Sequence, residues 1–368
     1  MEEWKTAPLA QCLQPIGTPK KIPRKQFEDS GRFPIVSQER DFINGYWSDE
    51  ADVVHVESPL VVFGDHTQTL KYIDFNFVVG ADGVKLLQPK PFLDPKYFYY
   101  FLMGNPVKSL GYARHFRLLK ELEIVFPEPL REQERIVAIL DEAFAAIATA
   151  TANAEKNLAN ARELFESVFD RLLPGVEGEW PHKQLGGCCE VKTGKKDVNE
   201  GNPDGAFPFF TCAKEHTYSD VYSFDTEAIL IAGNGAVGQT TYYKGKFEAY
   251  QRTYVLSGFH GVNVRFLYHV LETKLAAEVS KSKLGNTMPY IKMGMLTGFE
   301  YPSPPLADQH DLVLALDRAK DYCKAVASNA TQKLAHLDDL KQSLLHKAFT
   351  GELTADSKAV DRSILEVI

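Results

Sequence analysis

The chain has 368 residues, of which 44% are hydrophobic and 24% are charged, as expected for a folded protein of two or three domains. It shows no run of about 18 apolar residues and no secretion signal at its first residues, so we expect a cytoplasmic protein without a membrane span. The net charge of −8 is unlike that of a general phosphate-binding protein, but residues 126–179 alone hold 11 Asp and Glu against 5 Lys and Arg, and the remainder is near neutral.

Five cysteines fit neither a disulfide framework nor a zinc site. Their number is odd, Cys188 and Cys189 are adjacent, and Cys12, Cys212 and Cys323 have no C-x-x-C partner and no histidine at zinc-finger spacing. The other histidines and carboxylates follow no metal or catalytic-triad spacing. We therefore predict buried thiols, no metal site and no catalytic residues.

The first predicted elements along the chain are short strands. β-branched and aromatic residues are interrupted by Gly, Pro, Asn and Asp, as in "SPLVVFGDHTQTLKYIDFNFVVGADGVKLL" (Ser58–Leu87). A short helix is predicted next at Asp94–Met103, where Asp94 caps the helix and aromatic residues recur at spacings of three and four. The first part of the chain therefore has mixed strand and helix content.

A long helix follows. Pro129 is tolerated in its first turn, and Glu132 lies early, where the helix dipole favours an anion. About 44 residues at about 1.5 Å each span roughly 65 Å, which one small domain cannot cover, so pairing with a second helix is predicted. The apolar residues form a near-heptad seam at Ile136, Leu140, Ala143, Ile147, Ala154, Leu158, Ala161, Phe165, Val168 and Leu172.

The second half of the chain has the same order of elements. Strands are predicted in "TEAILIAGNGAVGQTTYYKGKFEAYQRTYVLSG" (Thr226–Gly258), a helix at Asn263–Val279, and a second long helix after Pro304 and Pro305. The seam of this second helix lies at Leu312, Leu316, Ala319, Cys323, Val326, Ala330, Leu334, Leu337, Leu344 and Ala348.

A fixed shift of 176 residues superimposes the two halves. The matching pairs are Trp4 and Trp180, Leu9 and Leu185, Cys12 and Cys188, Leu130 and Leu306, Gln133 and Gln309, Asp141 and Asp317, Leu158 and Leu334, Leu164 and Leu340, Ser167 and Ser343, and Gly175 and Gly351. The chain is therefore predicted to be a tandem duplication.

The duplication predicts an α+β architecture with a pseudo-two-fold relation between its halves. Mixed α/β domains are expected at residues 1–126 and 176–302, long helices at 127–175 and 303–353, and a tail at 354–368. A rough two-fold axis makes the helices antiparallel, packed as a coiled coil that separates two similar domains. Such an arrangement suits a ligand with two separated sites, and duplex DNA, with its repeat of about 34 Å, is the natural one.

Several motifs resemble the specificity subunit of type I restriction-modification systems. They are the pattern P-L-x-[ED]-Q-x-x-[IL] at both helix starts, "LKQSLLHKAFTGELT" (Leu340–Thr354), "GNTMPYIKMGMLTGFEYPSPPLADQ" (Gly285–Gln309) and "VVFGDHTQTLKYIDFNFVVGADGVKLL" (Val61–Leu87). The resemblance covers essentially the whole chain.

The resemblance implies a DNA-binding subunit without catalysis of its own. Two target-recognition domains would each read one half of a bipartite double-stranded DNA site, and the helices would set the gap. Two modification subunits, which methylate adenine N6 with S-adenosylmethionine, would dock on the helices, and restriction subunits could join. No cofactor is expected in this chain.

The two helix starts differ, since "EQER" (Glu132–Arg135) becomes "DQHD" (Asp308–Asp311), so the two docking surfaces need not be equivalent. The positions predicted for partner docking or helix pairing are Gln133, Ile136, Leu140, Leu158, Phe165, Gln309, Leu312, Leu316, Leu334 and Leu344.

Loops near strand ends hold the residues expected to contact DNA, with basic side chains on phosphates and amide or basic side chains on base edges. In the first half these are Lys20, Lys21, Arg24, Lys25, Gln38, His66 and Gln68. In the second half they are Lys195, Lys196, Lys214, Asn234, Gln251, Arg252, Lys283, Asn286 and Thr287, and Gly194 is expected to permit close backbone approach.

Two other functions remain open. One is a structural adaptor that binds proteins at both ends of a helical strut, and the other is a self-sufficient enzyme. "GNGAVG" (Gly233–Gly238) matches a dinucleotide-binding pattern, but β-branched and aromatic residues follow it, which predicts strand, turn and strand. "NPDG" (Asn202–Gly205) and "GNPV" (Gly104–Val107) lack the second proline and the aromatic residue of an adenine methyltransferase motif, so they are predicted to be turns.

Overall fold

A computed structural model describes residues 4–111, 113–173, 180–281 and 290–355. The chain divides into two units. Unit 1 contains Met1–Glu155 and Thr331–Ile368, and unit 2 contains Lys156–Ala330. Each unit combines sheets with part of both long helices, so the predicted mixed α+β fold is confirmed.

The described part of the first half forms short strands and three short helices before the first long helix. The elements are β1 (Trp4–Pro8), α1 (Leu9–Cys12), β2 (Leu13–Gln14), β3 (Lys21–Ile22), β4 (Phe33–Val36), β5 (Gly45–Trp47), β6 (Val53–Val54), β7 (Leu60–Gly64), β8 (Leu70–Ile73), β9 (Phe77–Gly80), β10 (Val84–Pro89), α2 (Pro95–Gly104), α3 (Phe116–Leu119), β11 (Glu123–Pro127) and α4 (Leu130–Leu172). One sheet has the strand order β2-β10-β7-β8. A second sheet has the order β3-β9-β4-β5, with β6 also paired to β9. β1 and β11 form a separate two-stranded sheet.

The second half repeats this plan with longer strands. The elements are β12 (His182–Gln184), β13 (Glu190–Thr193), β14 (Phe207–Phe210), β15 (Thr217–Ser219), β16 (Phe224–Ala232), β17 (Thr240–Ala249), β18 (Thr253–Ser257), α5 (Val264–Lys281), α6 (Met293–Thr297), β19 (Glu300–Pro302), α7 (Leu306–Thr350) and α8 (Glu352–Ala355). One sheet has the order β13-β18-β16-β17-β14-β15, and β12 pairs with β19.

Strand register shows which residues of the two units are equivalent. The antiparallel hairpin β7–β8 pairs Val62 with Lys71, and the hairpin β16–β17 pairs Leu230 with Thr241. In both units a strand that follows the hairpin adds to its first strand, β10 to β7 and β18 to β16. Each of these pairs is the second from the turn, after Phe63–Leu70 and Ile231–Thr240, so Lys71 and Thr241 occupy equivalent positions on the second strand of the hairpin.

The two short helices that the sequence predicts, α2 and α5, begin at the expected caps. The Asp94 side chain accepts hydrogen bonds from the backbone N–H groups of Lys96 and Tyr97 at the start of α2, at 2.9 and 2.7 Å. Asn263 caps α5 in the same way, accepting from the backbone N–H of Arg265 at 3.0 Å. Both caps satisfy backbone donors that have no partner inside the helix.

The long helices α4 and α7 begin at Leu130 and Leu306, which are 176 residues apart, as the duplication predicts. α4 begins in unit 1 and ends in unit 2, whereas α7 begins in unit 2 and ends in unit 1. In unit 1 the buried apolar residues of the pair are Ile136, Leu140, Ala143, Ile147, Ala150, Ala154, Leu337, Leu344, Leu345 and Ala348. In unit 2 they are Ala161, Phe169, Val313, Leu316, Cys323 and Ala330.

By length and composition α4 could cross a membrane, because a stretch of 18 residues within it reaches a mean hydropathy of 1.4. Its apolar side is instead packed in the folded chain. Ile136, Leu140 and Ala143 join the core that α2, β1 and β11 form in unit 1. The helix therefore behaves as the core helix of a folded domain.

Candidate nucleic-acid interface

The structure brings Gln38, His66 and Gln68 together at the β7–β8 turn of unit 1. The backbone N–H of His66 donates to the Gln38 Oε1 atom at 3.1 Å, and the Thr67 hydroxyl donates to the Gln38 carbonyl oxygen at 2.6 Å. Gln68 has a φ of 57°, which is unusual for a residue with a side chain. Three residues that the sequence places up to 30 positions apart therefore form one polar surface.

Hydrogen bonds of Asp65 hold the β7–β8 turn in place. Its backbone N–H donates to the Gly83 carbonyl at 2.7 Å, and its carboxylate accepts from the backbone N–H of Phe116 at 2.8 Å. The fully buried His115 also contacts it, with its backbone N–H 2.8 Å from the Asp65 carbonyl oxygen. Because these bonds hold the turn from several sides, its polar side chains are presented in a fixed position. Sequence reasoning missed both anchors, since neither follows a recognisable spacing.

Of the basic residues predicted in unit 1, Lys21 and Arg24 contact residues next to this surface, and three of the four already have partners. Lys20 pairs with Asp52 at 2.7 Å, Arg24 pairs with Glu39 at 2.7 Å, and the Lys21 ammonium donates to the Val84 carbonyl at 3.1 Å. Lys25 lies on the exposed surface. Because exposed ion pairs contribute about 0–1 kcal/mol, a phosphate can compete for Arg24 at small cost.

Unit 2 places most of its predicted residues around the equivalent turn. The backbone N–H of Gln251 donates to the Lys196 carbonyl at 2.9 Å, and the N–H of Gly233 donates to the Arg252 carbonyl at 3.0 Å. Asn234 follows Gly233 in the turn, and the Gln239 side chain donates to the Lys214 carbonyl at 2.8 Å.

Two basic side chains of unit 2 lie beside this group. Lys195 is exposed, and Lys196 pairs with Glu200 at 2.6 Å. Lys283, Asn286 and Thr287, which were also predicted to contact DNA, lie outside the described residues.

The turn in "GNGAVG" joins the two longest strands, β16 and β17, which confirms strand, turn and strand and excludes a phosphate-binding helix at this point. Gly194 also permits a close backbone approach, but within the chain. A Cβ atom there would lie 1.9 Å from the Ala249 carbonyl oxygen, so any side chain would displace the neighbouring strand. This glycine therefore serves the fold.

Gln133 and Gln309 were predicted as docking or helix-pairing positions, and the structure gives them another role. They are 0% and 1% exposed, so neither side chain is available to a partner. Gln133 accepts from the backbone N–H of Asp94 at 2.8 Å and donates to the carbonyls of Phe92 and Pro127 at 3.0 and 2.9 Å. Each glutamine instead fastens its long helix to the cap of the short helix in its own unit.

The bonds of Gln309 repeat those of Gln133. Gln309 accepts from the backbone N–H of Asn263 at 2.7 Å and donates to the Pro304 carbonyl at 2.8 Å. Eight residues further along each helix, an aspartate makes a second attachment. Asp141 accepts from Lys96 at 2.7 Å and from the Tyr100 hydroxyl, and Asp317 accepts from Arg265 at 2.8 Å.

His269 occupies the position of Tyr100 in unit 2 and lies 2.7 Å from Asp317 through Nε2. Burial lowers the pKa of the His269 imidazole, although the bond to Asp317 opposes this effect. Burial acts to raise the pKa of Asp317, but the hydrogen bonds from Arg265 and His269 outweigh it and hold that pKa below its usual value. The group is therefore a neutral imidazole and an ionised carboxylate that joins helix to domain.

The other predicted helix positions are buried or half-buried. Ile136, Leu140, Leu316 and Leu344 are buried, and the half-buried positions are Leu158, Phe165, Leu312 and Leu334. Large exposed apolar side chains occur instead at Leu130 and Leu306, 41% and 57% exposed, in the first turn of each helix, and also at Leu164, Leu314 and Tyr322. The seam pattern could not identify them, because they lie off the seam.

The cysteines are free and buried, as predicted. Among the described residues, no group of three or more His, Cys, Asp or Glu side chains is placed to hold a metal ion.

The profile of a protein family described as "Type I restriction modification DNA specificity domain" matches residues 1–158 and 177–335. The two matches begin 176 residues apart, which is the shift of the internal repeat. Together they cover both units and most of both long helices.

Individual relatives agree with this match. The chain is 34% identical over 178 residues to the type I restriction enzyme EcoDI specificity subunit of Escherichia coli, covering 48% of this chain but only 39% of that protein. It is 23% identical over 353 residues to the EcoR124I/EcoR124II specificity subunit of Escherichia coli, covering 85% of each chain. A solved structure of a type I R-M system superimposes with a TM-score of 0.71 at 18% identity, covering 95% of this chain and 98% of that one, which supports the fold.

Proposed function

This chain belongs to the family of type I restriction-modification specificity subunits, and on that premise we propose that it selects the DNA sequence on which a type I complex acts. Each unit would read one half of a bipartite site in double-stranded DNA. The observation that carries the proposal is that the two units share one strand framework but present different side chains at its equivalent turns.

The equivalent turns differ in both length and chemistry. Five residues separate β7 from β8, and seven separate β16 from β17. The first turn presents His66 and Gln68 beside Gln38, whereas the second is "GNGAVG" beside Cys212. Because base edges are distinguished by the donors and acceptors that meet them, the two turns favour different half-sites.

The long helices provide the spacing and the attachment of partners in this proposal. α4 and α7 are 43 and 45 residues long, or roughly 65 Å at about 1.5 Å per residue. Two modification subunits would bind the complex and methylate adenine N6 with S-adenosylmethionine held in their own sites, and restriction subunits could join. We assign no catalytic residue and no cofactor to this chain, and place it in the cytoplasm with its DNA.

Methylome sequencing tests this function. The chain is expressed with its cognate modification subunit in a host that lacks adenine methylation. The expected result is N6-methyladenine at one motif of two short sequences separated by a fixed gap. If methylation is unchanged when this chain is omitted, the proposal is wrong and an adaptor that only holds proteins together is favoured. If this chain alone methylates DNA, it is an enzyme.

A domain exchange then assigns the half-sites. Residues 180–300 are replaced by the corresponding residues of another family member. One half of the motif should change and the other half, with the gap, should persist. A change in both halves would contradict independent reading by the two units.

A further inference from the structure

Equivalent positions on the two hairpins hold a lysine in unit 1 and a threonine in unit 2, and the space around them differs. Lys71 faces the segment that follows β4, and Thr241 faces the segment that follows β14. These segments are themselves equivalent, because β4 pairs in parallel with β9 as β14 pairs in parallel with β17. The same place in the fold can therefore be compared in the two units.

In unit 1 this place is filled. Lys71 is only 3% exposed, although it carries an ammonium group. The ammonium donates to the carbonyl of Asp41, to the carbonyl of Phe42 at 3.3 Å and to the Asn44 side-chain oxygen at 3.1 Å. Asn44 also accepts from the backbone N–H of Ser37 at 2.8 Å, so the segment after β4 is closed over the sheet. The Lys71 side chain therefore occupies this place in unit 1.

In unit 2 the same place is an open cavity of about 460 Å³. Thr241 replaces the lysine, and Thr241 and the segment after β14 both line the cavity. The lining combines polar groups of Lys214, His216, Gln239 and Thr241 with the rings of Phe210 and Tyr218. The His216 ring centroid lies 5.2 Å from that of Phe210 and 5.3 Å from that of Tyr218.

The cavity adjoins the turn that carries the predicted DNA contacts. Ala232 and Gln239, at the two ends of the turn, both line it. The Gln239 side chain also donates to the Lys214 carbonyl at 2.8 Å, so it connects the turn to the segment after β14. Polar side chains converging on an aromatic-walled space are typical of sites that recognise a planar polar ring.

We propose that this cavity is the base-reading pocket of unit 2, receiving the exposed edge of a base in its half-site, and that unit 1 reads its half-site from the protruding turn alone. The inference rests on the proposed function and adds the residues that determine one half of the site. Lys214 and His216 supply donors at the mouth, and Glu215 supplies an acceptor, so the pocket discriminates among bases by hydrogen bonding.

The test uses the complete complex of this chain with its modification subunits. Methylation rates are measured on two duplex pools, one with the unit 1 half-site fixed and the other half randomised, and one with the reverse. Thr241→Trp fills the cavity, and Lys214→Ala removes a donor at its mouth. Lys244→Trp places the same ring at an exposed position of the same strand, outside the cavity, as the matched control.

Both pocket variants should lose about 10-fold or more of the preference for at least one base in the unit 2 half-site, with the unit 1 half-site unchanged. The control should keep both preferences. An unchanged unit 2 preference in a folded Thr241→Trp complex overturns the pocket. If that variant does not fold, Lys214→Ala and Thr241→Lys, which imitates unit 1, decide by the same criterion. A wild-type complex that methylates no split motif would instead refute the proposed function.

Discussion

The side-chain oxygen of Gln133 accepts the backbone N–H of Asp94 at 2.8 Å, and 176 residues later Gln309 accepts the backbone N–H of Asn263 at 2.7 Å. In each case the acceptor lies in the first turn of a long helix and the donor is the cap of a short helix. Both glutamines are buried, so the bonds are shielded from water. The duplication therefore preserves an attachment between helix and domain as well as a sequence.

Replacing Gln133 by alanine should destabilise unit 1. The substitution leaves the buried carbonyl of Pro127, and the part-buried N–H of Asp94 and carbonyl of Phe92, without this partner, at a cost of about 1–3 kcal/mol in the free energy of unfolding. Urea denaturation of the full chain measures this change. Gln332→Ala, at an exposed site on α7, is the control and should stay within about 0.5 kcal/mol. Equal effects of the two substitutions would contradict the role assigned to Gln133.

The stability of the chain should decrease on acidification because of His269. Its pKa in the folded chain is lowered by burial, so the unfolded chain takes up a proton first as the pH falls below about 7. Its contribution to stability is therefore present above its ordinary pKa and lost on acidification towards pH 5. His269→Tyr, which copies Tyr100 of unit 1, should reduce the loss of thermal stability between pH 7.5 and 5.5.

Exposed His336 gives the control, and His336→Tyr should leave that loss as in the wild type. A pH dependence that is the same in all three chains would show that His269 does not titrate on unfolding in this range.

Gly194→Ala should disrupt unit 2, because the added Cβ would lie 1.9 Å from the Ala249 carbonyl. Overpacking of this kind costs about 1–3 kcal/mol or more. Gly187→Ala adds a Cβ that meets nothing within 4 Å and serves as the matched control. Circular dichroism during thermal unfolding compares them, and equal melting temperatures would refute the close approach at Gly194.

An insertion in α4 tests whether the helices set the gap. Four residues added after Ala150 lengthen the helix by about 6 Å, roughly one turn. The methylated motif should then show a longer gap with both halves unchanged. Replacing Thr149 and Thr151 by alanine changes the helix surface without changing its length, and should keep the gap. An unchanged gap after the insertion would exclude α4 as the spacer.

Much of this fold could be predicted because its signals are local. Pro129 and Pro305 mark the helix starts, Asp94 and Asn263 cap the short helices, and all four act through neighbouring residues. The duplication required only comparison of the chain with itself. The heptad pattern likewise predicted the buried stripe of α4 as far as Ala161.

The remainder depends on contacts that the sequence does not order. Gln133 was predicted as a docking or helix-pairing position from the motif at the helix start, yet two of its hydrogen-bond partners lie 39 and 41 residues away. Lys71 gives no local signal of burial, because charged residues are mostly exposed, yet its ammonium is buried and donates to three oxygen acceptors from the segment after β4. Gln38, His66 and Gln68 could be named from loop chemistry, but their meeting is set by sheet pairing.

The two attachments between short and long helices have one spacing in both halves. In the first half the helix cap is Asp94, the cation is Lys96 and the aromatic ring is Tyr100. The same intervals occur in "NVRFLYH" (Asn263–His269) of the second half. On each long helix the glutamine and the aspartate that bind them are eight residues apart. Genetic recombination can exchange the strands and turns and leave the codons of these attachment residues in place. Any domain that keeps those residues would then fit either long helix. Under the proposed function, new DNA preferences could then arise by exchange of whole domains, without a change in the surface that holds them.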